Sequence, residues 1–136
     1  MRILAGLMLI AFGVAIGSGA GAQIADCDNA MTQSQMNACA ALDFEMADSD
    51  LNAAYGMARA AMQRLDSQLG ADLRGAETTL RDAQRAWITF RDAACAAEGF
   101  QMRGGSAEPL LVYGCMSRLT SQRARDLWDL ATGQDG

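Results

Sequence analysis

Apolar residues recur at the spacing of an α-helix along most of this 136-residue chain, and this period constrains the fold more than any other feature. The clearest run alternates intervals of four and three residues, at Leu69, Leu73, Ala76, Leu80, Ala83, Trp87, Phe90 and Ala94. Residues at this spacing lie on one side of a helix and form a stripe that packs against a neighbour. We therefore predict a helix over 70–97, after a turn at Gly70, with this whole stripe in the core.

A longer helix is predicted before it, over 32–68. One apolar row repeats every seven residues, at Phe44, Leu51, Ala58 and Leu65. A neighbouring row of small residues has the same interval, at Ala40, Ala47, Ala54 and Ala61. Thr32 and Gln35 stand three residues apart at the start, as in a capping box. The two rows and the cap predict one continuous helix with a single buried side.

A third helix follows the break at 99–105 and is predicted from an N-cap at Ser106 to about Ala131. Pro109 falls in its first turn, where the missing N–H group costs little. Its predicted buried residues are Val112, Met116, Leu119, Leu127 and Leu130. Three amphipathic helices joined by short turns predict an all-α fold, a small three-helix antiparallel bundle.

The N-terminal end has the composition of a signal peptide over 1–22, with Arg2 before an apolar run and an A-x-A cleavage motif at 20–22. The apolar run is shorter than the ~20 residues of a membrane-spanning helix, so cleavage is favoured over an N-terminal anchor. Cleavage would leave a helical domain at 23–131, a polar tail at 132–136 and no stable membrane anchor. The expected location is therefore periplasmic or secreted.

All four cysteines, Cys27, Cys39, Cys95 and Cys115, lie in the predicted domain. An even number in a small exported domain predicts two disulfides, and four cysteines allow three pairings. We favour the local pairs, Cys27 with Cys39 and Cys95 with Cys115. The first pair can tie the N-terminal segment to the first helix, and the second can clamp the turn between the other two helices. Since the chain has neither histidine nor a C-x-x-C pair, the sequence predicts no metal site.

The net charge narrows the class of partner. The whole chain carries −5, and without Arg2 the charge becomes −6, with no lysine and no histidine. An acidic chain argues against nucleic acid, because phosphate binding needs clustered lysine or arginine. The charge is compatible with a basic protein partner, and equally with a role in solubility alone.

Residues suited to catalysis are scarce. No histidine is present to activate a serine or cysteine nucleophile, and the cysteines are expected to be paired. The acidic residues Asp43, Glu45, Asp48 and Asp50 include the residue types that glycosidases use in pairs, but a solvated helix face is the favoured interpretation. We therefore predict that the chain is not an enzyme and uses no cofactor.

Arg91 is a candidate structural residue on the second helix. It lies beside the apolar stripe, between Trp87 and the end of the helix. We predict that its side chain crosses to a carboxylate of another helix, either Asp48 or Asp126, because a buried guanidinium requires a partner of opposite charge.

An ordered set of short motifs extends through the predicted domain. Those of the first half are Cys27-Asp28, Thr32-Gln33, Met36-Asn37-x-Cys39, Ala47-Asp48 and Leu51-Asn52-x-x-Tyr55. Those of the second half are Ala83-Gln84-Arg85-Ala86-Trp87, Phe90-Arg91-Asp92-Ala93-x-Cys95, Gly104-Gly105-Ser106, Pro109, Cys115 and Leu119-Thr120-x-x-Arg123. In this order and spacing, over about 27–130, the chain resembles the N-terminal domain of the LprI-type lysozyme inhibitor family. The resemblance implies an exported helical protein with paired cysteines, and at least one relative that inhibits lysozyme.

The resemblance, together with the acidic charge, implies an exported binding module that inhibits lysozyme or another wall hydrolase by protein–protein contact. Lysozymes of the animal type are strongly basic, so an acidic domain would be steered towards them. The candidate contact residues are the loop Gly104, Gly105 and Ser106, and the acidic run Asp43, Glu45, Asp48 and Asp50. The alternative is a periplasmic structural or stress-related interaction protein without lysozyme contact.

Overall fold

The computed structural model describes residues 26–133, and three long helices account for most of them. Helix α1 spans Gln33–Gln68, α2 spans Ala76–Gly99 and α3 spans Glu108–Thr132. No strand is present among these residues. The predicted all-α fold, a three-helix bundle, is therefore confirmed.

Two predicted segments lie at the ends of the chain. The signal peptide at 1–22 falls outside the described residues, as does most of the polar tail at 132–136. Within the described part, α3 continues to Thr132, one residue past the predicted domain boundary. None of the three described helices combines the length and the apolar character needed to cross a membrane.

Each helix runs antiparallel to the one before it. Asp66, near the end of α1, contacts the start of α2, whereas Asp48, earlier in α1, contacts Arg91 late in α2. Cys95, near the end of α2, is bonded to Cys115 early in α3. Helices α1 and α3 therefore run parallel to each other, and both contact α2.

The packing of α1 against α3 depends on the predicted row of small residues in α1. The members of that row are all buried: Ala40, Ala47, Ala54 and Ala61. Ala54 and Ala61 share a core cluster with Ala124, Leu127 and Ala131 of α3, and the interface between α1 and α3 is the largest in the bundle. Because methyl groups let helix axes approach closely, the heptad of alanines favours this pairing over others.

The capping box predicted at the start of α1 is present. Thr32 Oγ1 accepts a hydrogen bond from the Gln35 N–H group at 3.2 Å, and Gln35 Oε1 accepts one from the Thr32 N–H group at 3.0 Å. Two N–H groups that the helix itself leaves without partners are thus satisfied. The start of α1 is therefore determined by local sequence.

Helix α2 begins at Ala76 and not at residue 70, so the sequence prediction of its start is wrong. Gly75 adopts a φ of 140°, a conformation that side chains disfavour, and Leu73, expected in the core, is exposed. The cap comes from α1: the Asp66 carboxylate accepts hydrogen bonds from the N–H groups of Gly75, Ala76 and Glu77 at 2.9, 2.9 and 3.1 Å. The helix starts where this carboxylate satisfies its free N–H groups.

Replacing Asp66 by asparagine should lower the melting temperature at about pH 7, because an uncharged amide is a weaker acceptor for these N–H groups. The N–H groups of Gly75, Ala76 and Glu77 hold the pKa of Asp66 below its ordinary value, and the charge of Arg74 adds to this. A lowered pKa in the folded state contributes stability at neutral pH, which is lost as the pH falls through that pKa. Calorimetry from about pH 7 to about pH 3 should therefore show the gap between D66N and wild type closing.

D72N provides the matched control, because Asp72 is an exposed carboxylate in the same turn. This variant should melt like the wild type throughout the range. A D66N deficit that stays constant down to the lowest pH would contradict the capping role of the ionised carboxylate.

The buried side of α2 is rotated from the predicted stripe. Leu80 is buried and Trp87 packs against the core as predicted, but Phe90 is 60 % exposed and Ala83 is exposed too. Gln84 takes the buried position next to Ala83, and Arg91 takes the one next to Phe90. The prediction that Phe90 and Ala83 lie in the core is therefore wrong.

Polar partners explain this rotation. Gln84 Oε1 accepts a hydrogen bond from Arg123 Nε at 3.0 Å, and Arg91 Nη1 donates one to Thr120 Oγ1 at 3.3 Å. Buried polar groups with partners are tolerated in a core, so two long side chains can replace two apolar ones at the contact with α3. The interval patterns of the apolar residues cannot reveal such partners.

Helix α3 begins at Glu108, with Ala107 at the N-cap position, so the prediction of Ser106 as the cap is wrong. Pro109 lies in the first turn, as predicted. Of the predicted buried face, Leu127 is fully buried, and the others are partly buried: Val112, Met116, Leu119 and Leu130. Gly99 at the end of α2 packs so closely on Val112 that a Cβ atom would lie 2.6 Å from Val112 Cγ2.

Both disulfides have the predicted pairing. The bond between Cys95 and Cys115 joins α2 to α3 inside the core, where these residues are 0 % and 2 % exposed. The bond between Cys27 and Cys39 ties a 3₁₀ turn, Cys27–Asn29, to α1 nearer the surface. Both bonds lie towards the end of the bundle where α1 and α3 begin and α2 ends, which we call the disulfide-braced end.

Candidate functional site

The connecting loop, residues 100–107, joins α2 to α3 at the disulfide-braced end and contains Gly104, Gly105 and Ser106. It opens with a 3₁₀ turn, Phe100–Met102. Gly104 has a φ of 75°, in the left-handed region that favours glycine. The Gly105 N–H group donates a hydrogen bond to the Met102 carbonyl at 2.8 Å. The loop therefore makes a tight, internally bonded turn and presents its other side chains outwards.

Glu108 closes this loop from the first turn of α3. Its carboxylate accepts hydrogen bonds from the Gly104 N–H group at 2.8 Å and from Arg103 Nη1 at 2.7 Å. The Gly104 N–H group, and then Arg103, hold the pKa of Glu108 below its ordinary value. The carboxylate is therefore ionised at neutral pH and holds the two central residues of the turn, Arg103 and Gly104.

Asn37 attaches the loop to α1. Its Nδ2 atom donates a hydrogen bond to the Ser106 carbonyl at 2.9 Å, and its Oδ1 atom accepts one from Gln33 Nε2 at 2.8 Å. Because the second bond orients the amide, the first fixes the loop against the helix. The motif residue Asn37 thus positions the candidate loop.

The acidic run does not form a single surface. Asp48 Oδ1 contacts Arg91 Nη1 of α2 at 3.5 Å, and Asp50 Oδ1 accepts a hydrogen bond from Trp128 Nε1 of α3 at 3.0 Å. Asp43 lines a groove, and Glu45 is exposed. Two of the four carboxylates thus connect helices.

An open groove of about 490 Å³ lies between the start of α1 and α3. Its walls are mostly apolar, with charged or hydroxyl groups from Asp43, Ser117 and Arg118. Arg118 Nη2 also donates a hydrogen bond to Glu98 Oε2 at 2.9 Å, which joins α3 to α2 beside the groove. The groove and the connecting loop therefore share the disulfide-braced end.

Arg91 is a buried residue of α2 with partners on both other helices. It is 7 % exposed, and its Nε atom donates a hydrogen bond to Asp92 Oδ1 at 2.9 Å. Its guanidinium carbon lies 5.2 Å from the ring centroids of both Phe44 and Trp87. The predicted contact with Asp48 is present, and the other candidate, Asp126, accepts a hydrogen bond from Gln122 within α3 instead. Arg91 thus links all three helices.

The remaining motif residues also have contacts that support the fold. Asn52 Nδ2 donates to Asp48 Oδ2 at 3.1 Å, which orients the carboxylate that contacts Arg91. The Tyr55 ring packs against the core and lies 5.8 Å from the Arg59 guanidinium carbon. Among residues 26–133, no group of three or more potential ligands is placed to bind a metal ion.

Sequence reasoning missed the exposed side chains of the connecting loop, Phe100, Met102 and Arg103. They fall in the interval where the helical period breaks, and a broken period carries no prediction about burial. The available signal was an aromatic residue and a methionine in a loop flanked by glycines, since such residues usually lie inside a fold.

Comparisons with known proteins agree with this architecture. Residues 25–127 match the family described as "Lysozyme inhibitor LprI". An uncharacterized protein of Rhizobium meliloti is 46 % identical over 108 residues, which cover 77 % of this chain and 78 % of that protein. The crystal structure of a DUF1311-family protein from Pseudomonas putida is similar, with a TM-score of 0.61 and 28 % identity, over 76 % of this chain and 98 % of that one. DUF1311 and LprI denote the same family.

Proposed function

This chain belongs to the lysozyme inhibitor LprI family, and we propose that it is an exported binding module that inhibits lysozyme or another wall hydrolase by protein–protein contact. Family membership over 25–127 is the observation that carries the proposal. The family is one of inhibitors and not of catalysts, which supports an action by binding alone.

Disulfide pairing and charge support the same proposal. Two disulfides persist in an oxidising compartment such as the periplasm or the exterior, where wall hydrolases act. A net charge of −5 for the whole chain raises the rate of encounter with a strongly basic lysozyme. Added salt screens this attraction, so it should slow association more than it speeds dissociation.

The proposed contact surface is the connecting loop with Gly104, Gly105 and Ser106. The hydrogen bonds of Glu108 and Asn37 hold this loop in one conformation, which reduces the entropy that binding would cost. Of the acidic run, Asp43 is the candidate for a second contact, because it lines the groove at the disulfide-braced end. Asp48 and Asp50 already bond to other helices, and Glu45 lies on another side of α1 from Asp43.

A lysis assay tests the proposal. Purified protein added to lysozyme should slow the clearing of a turbid suspension of bacterial cells, in proportion to its concentration and down to about a tenth of the uninhibited rate. Several lysozyme types and other wall hydrolases should be compared, and reduced, alkylated protein is the matched control. Absence of inhibition at a large molar excess over every type would exclude the inhibitor function and favour the structural or stress-related alternative.

A further inference from the structure

Phe100 is an aromatic side chain that the bundle leaves in solvent. It is 62 % exposed at the tip of α2, where the connecting loop begins. The guanidinium carbon of Arg103 lies 4.8 Å from its ring centroid, and the Arg103 side chain is itself 64 % exposed. The loop therefore presents a flat ring and a cation together.

This pair differs from the other arginine–ring contacts of the described residues. Those contacts join Arg59 to Tyr55 and Arg91 to Phe44 and Trp87, and their rings are partly buried between helices. They contribute to packing within the bundle. The ring of Phe100 is exposed, so the part of its apolar surface that Arg103 does not cover remains available to a partner.

The pair is also held in place before any partner arrives. The Arg103 N–H group donates to the Phe100 carbonyl at 3.2 Å, and Arg103 Nη1 donates to Glu108 Oε1 at 2.7 Å. Aromatic and arginine side chains dominate the energetics of many interfaces, above all where they are rigid and project from a firm scaffold. The exposed position and the rigidity of the Phe100–Arg103 pair are those expected of a residue pair that anchors a binding partner.

We infer that Phe100 and Arg103 are the anchor residues by which the connecting loop enters the sugar-binding cleft of a wall hydrolase. This inference rests on the proposed function. Such a cleft binds sugar rings and contains a pair of carboxylates that perform hydrolysis. The Phe100 ring takes the place of a sugar ring. Arg103 keeps its bond to Glu108 through Nη1, and its other N–H groups donate to a cleft carboxylate. The acidic body of the protein speeds encounter, and this local cation matches the acidic cleft.

Two variants test the anchor, with inhibition of lysozyme and binding by calorimetry as the measurements. F100A should weaken both by about tenfold or more, and R103Q should do the same. Phe100 is exposed, so F100A should melt like the wild type and its loss cannot be ascribed to unfolding. F90A is the matched control, because Phe90 is an equally exposed phenylalanine on the outer side of α2.

A soluble chito-oligosaccharide provides the third measurement. It occupies the cleft and should displace the wild-type protein from lysozyme in the calorimetric assay. If the wild type inhibits and F100A inhibits equally well, or if the oligosaccharide fails to displace it, the anchor is wrong and the inhibitor function stands. If the wild type inhibits no lysozyme and no other wall hydrolase of the panel, both the function and the anchor are overturned.

Discussion

Replacing Cys95 and Cys115 together by alanine should lower the free energy of unfolding by about 3–5 kcal/mol. The bond closes a loop with a sequence separation of 20, and without it the unfolded chain gains conformational entropy. Both residues are buried, so the alanines also leave a cavity between α2 and α3. For a domain of this size, such a loss is a large fraction of the total stability.

Urea unfolding followed by far-ultraviolet circular dichroism measures this loss. The alanine pair at Cys27 and Cys39 is the matched control, because it removes a bond with a sequence separation of 12. Its loss should be much smaller, since the 3₁₀ turn Cys27–Asn29 has no buried residues and can detach while the helices stay packed. Equal losses of unfolding free energy for the two pairs would contradict the conclusion that the bond between Cys95 and Cys115 is the one that stabilises the bundle.

Replacing Arg91 by alanine should lower the free energy of unfolding by about 2–3 kcal/mol. The substitution removes the side chain that packs on Phe44 and Trp87 and bonds to Thr120. Asp48 and Asp92 are about half exposed, so water can hydrate them after the loss. The expected cost therefore falls below the value for a fully buried ion pair that loses one partner.

Chemical denaturation of R91A against R85A measures the difference. Arg85 is an exposed arginine of the same helix, and its substitution should change the free energy of unfolding by less than about 0.5 kcal/mol. R91K should recover only part of the loss, because an ammonium group cannot stack on two rings as a planar guanidinium does. An R91A protein as stable as the wild type would refute the central structural role of this residue.

The number of helices, the alanine row of α1 and the pairing of the cysteines could be predicted from the sequence. Each of these features depends on residues that are close along the chain or that recur at a regular interval. Ala40, Ala47, Ala54 and Ala61 recur at a heptad interval, and Thr32 with Gln35 lies within one turn. A helix imposes these relations on its own residues, whatever it packs against.

The candidate site could be predicted only in part. The glycines at 104 and 105 indicated a loop, but nothing local showed that Phe100 would be exposed with Arg103 over its ring. For the acidic run, in contrast, the sequence alone was sufficient to show that its residues do not form one surface. Successive residues of a helix differ by about 100° in direction. The spacing therefore already implies that Asp43 lies on another side of α1 from Glu45 and Asp48.

By itself, the sequence determined that this protein is a three-helix bundle with two local disulfides. The spacing of apolar residues predicts each helix from its own residues, and each disulfide joins cysteines that are close along the chain. The tertiary structure alone decided which side of α2 is buried and where α2 begins. Arg91 and Gln84 are buried because Thr120 and Arg123 of α3 bond to them, and α2 starts where Asp66 of α1 caps it. Such partners come from other helices, so their effect follows from three-dimensional contact and not from the order of residues along α2.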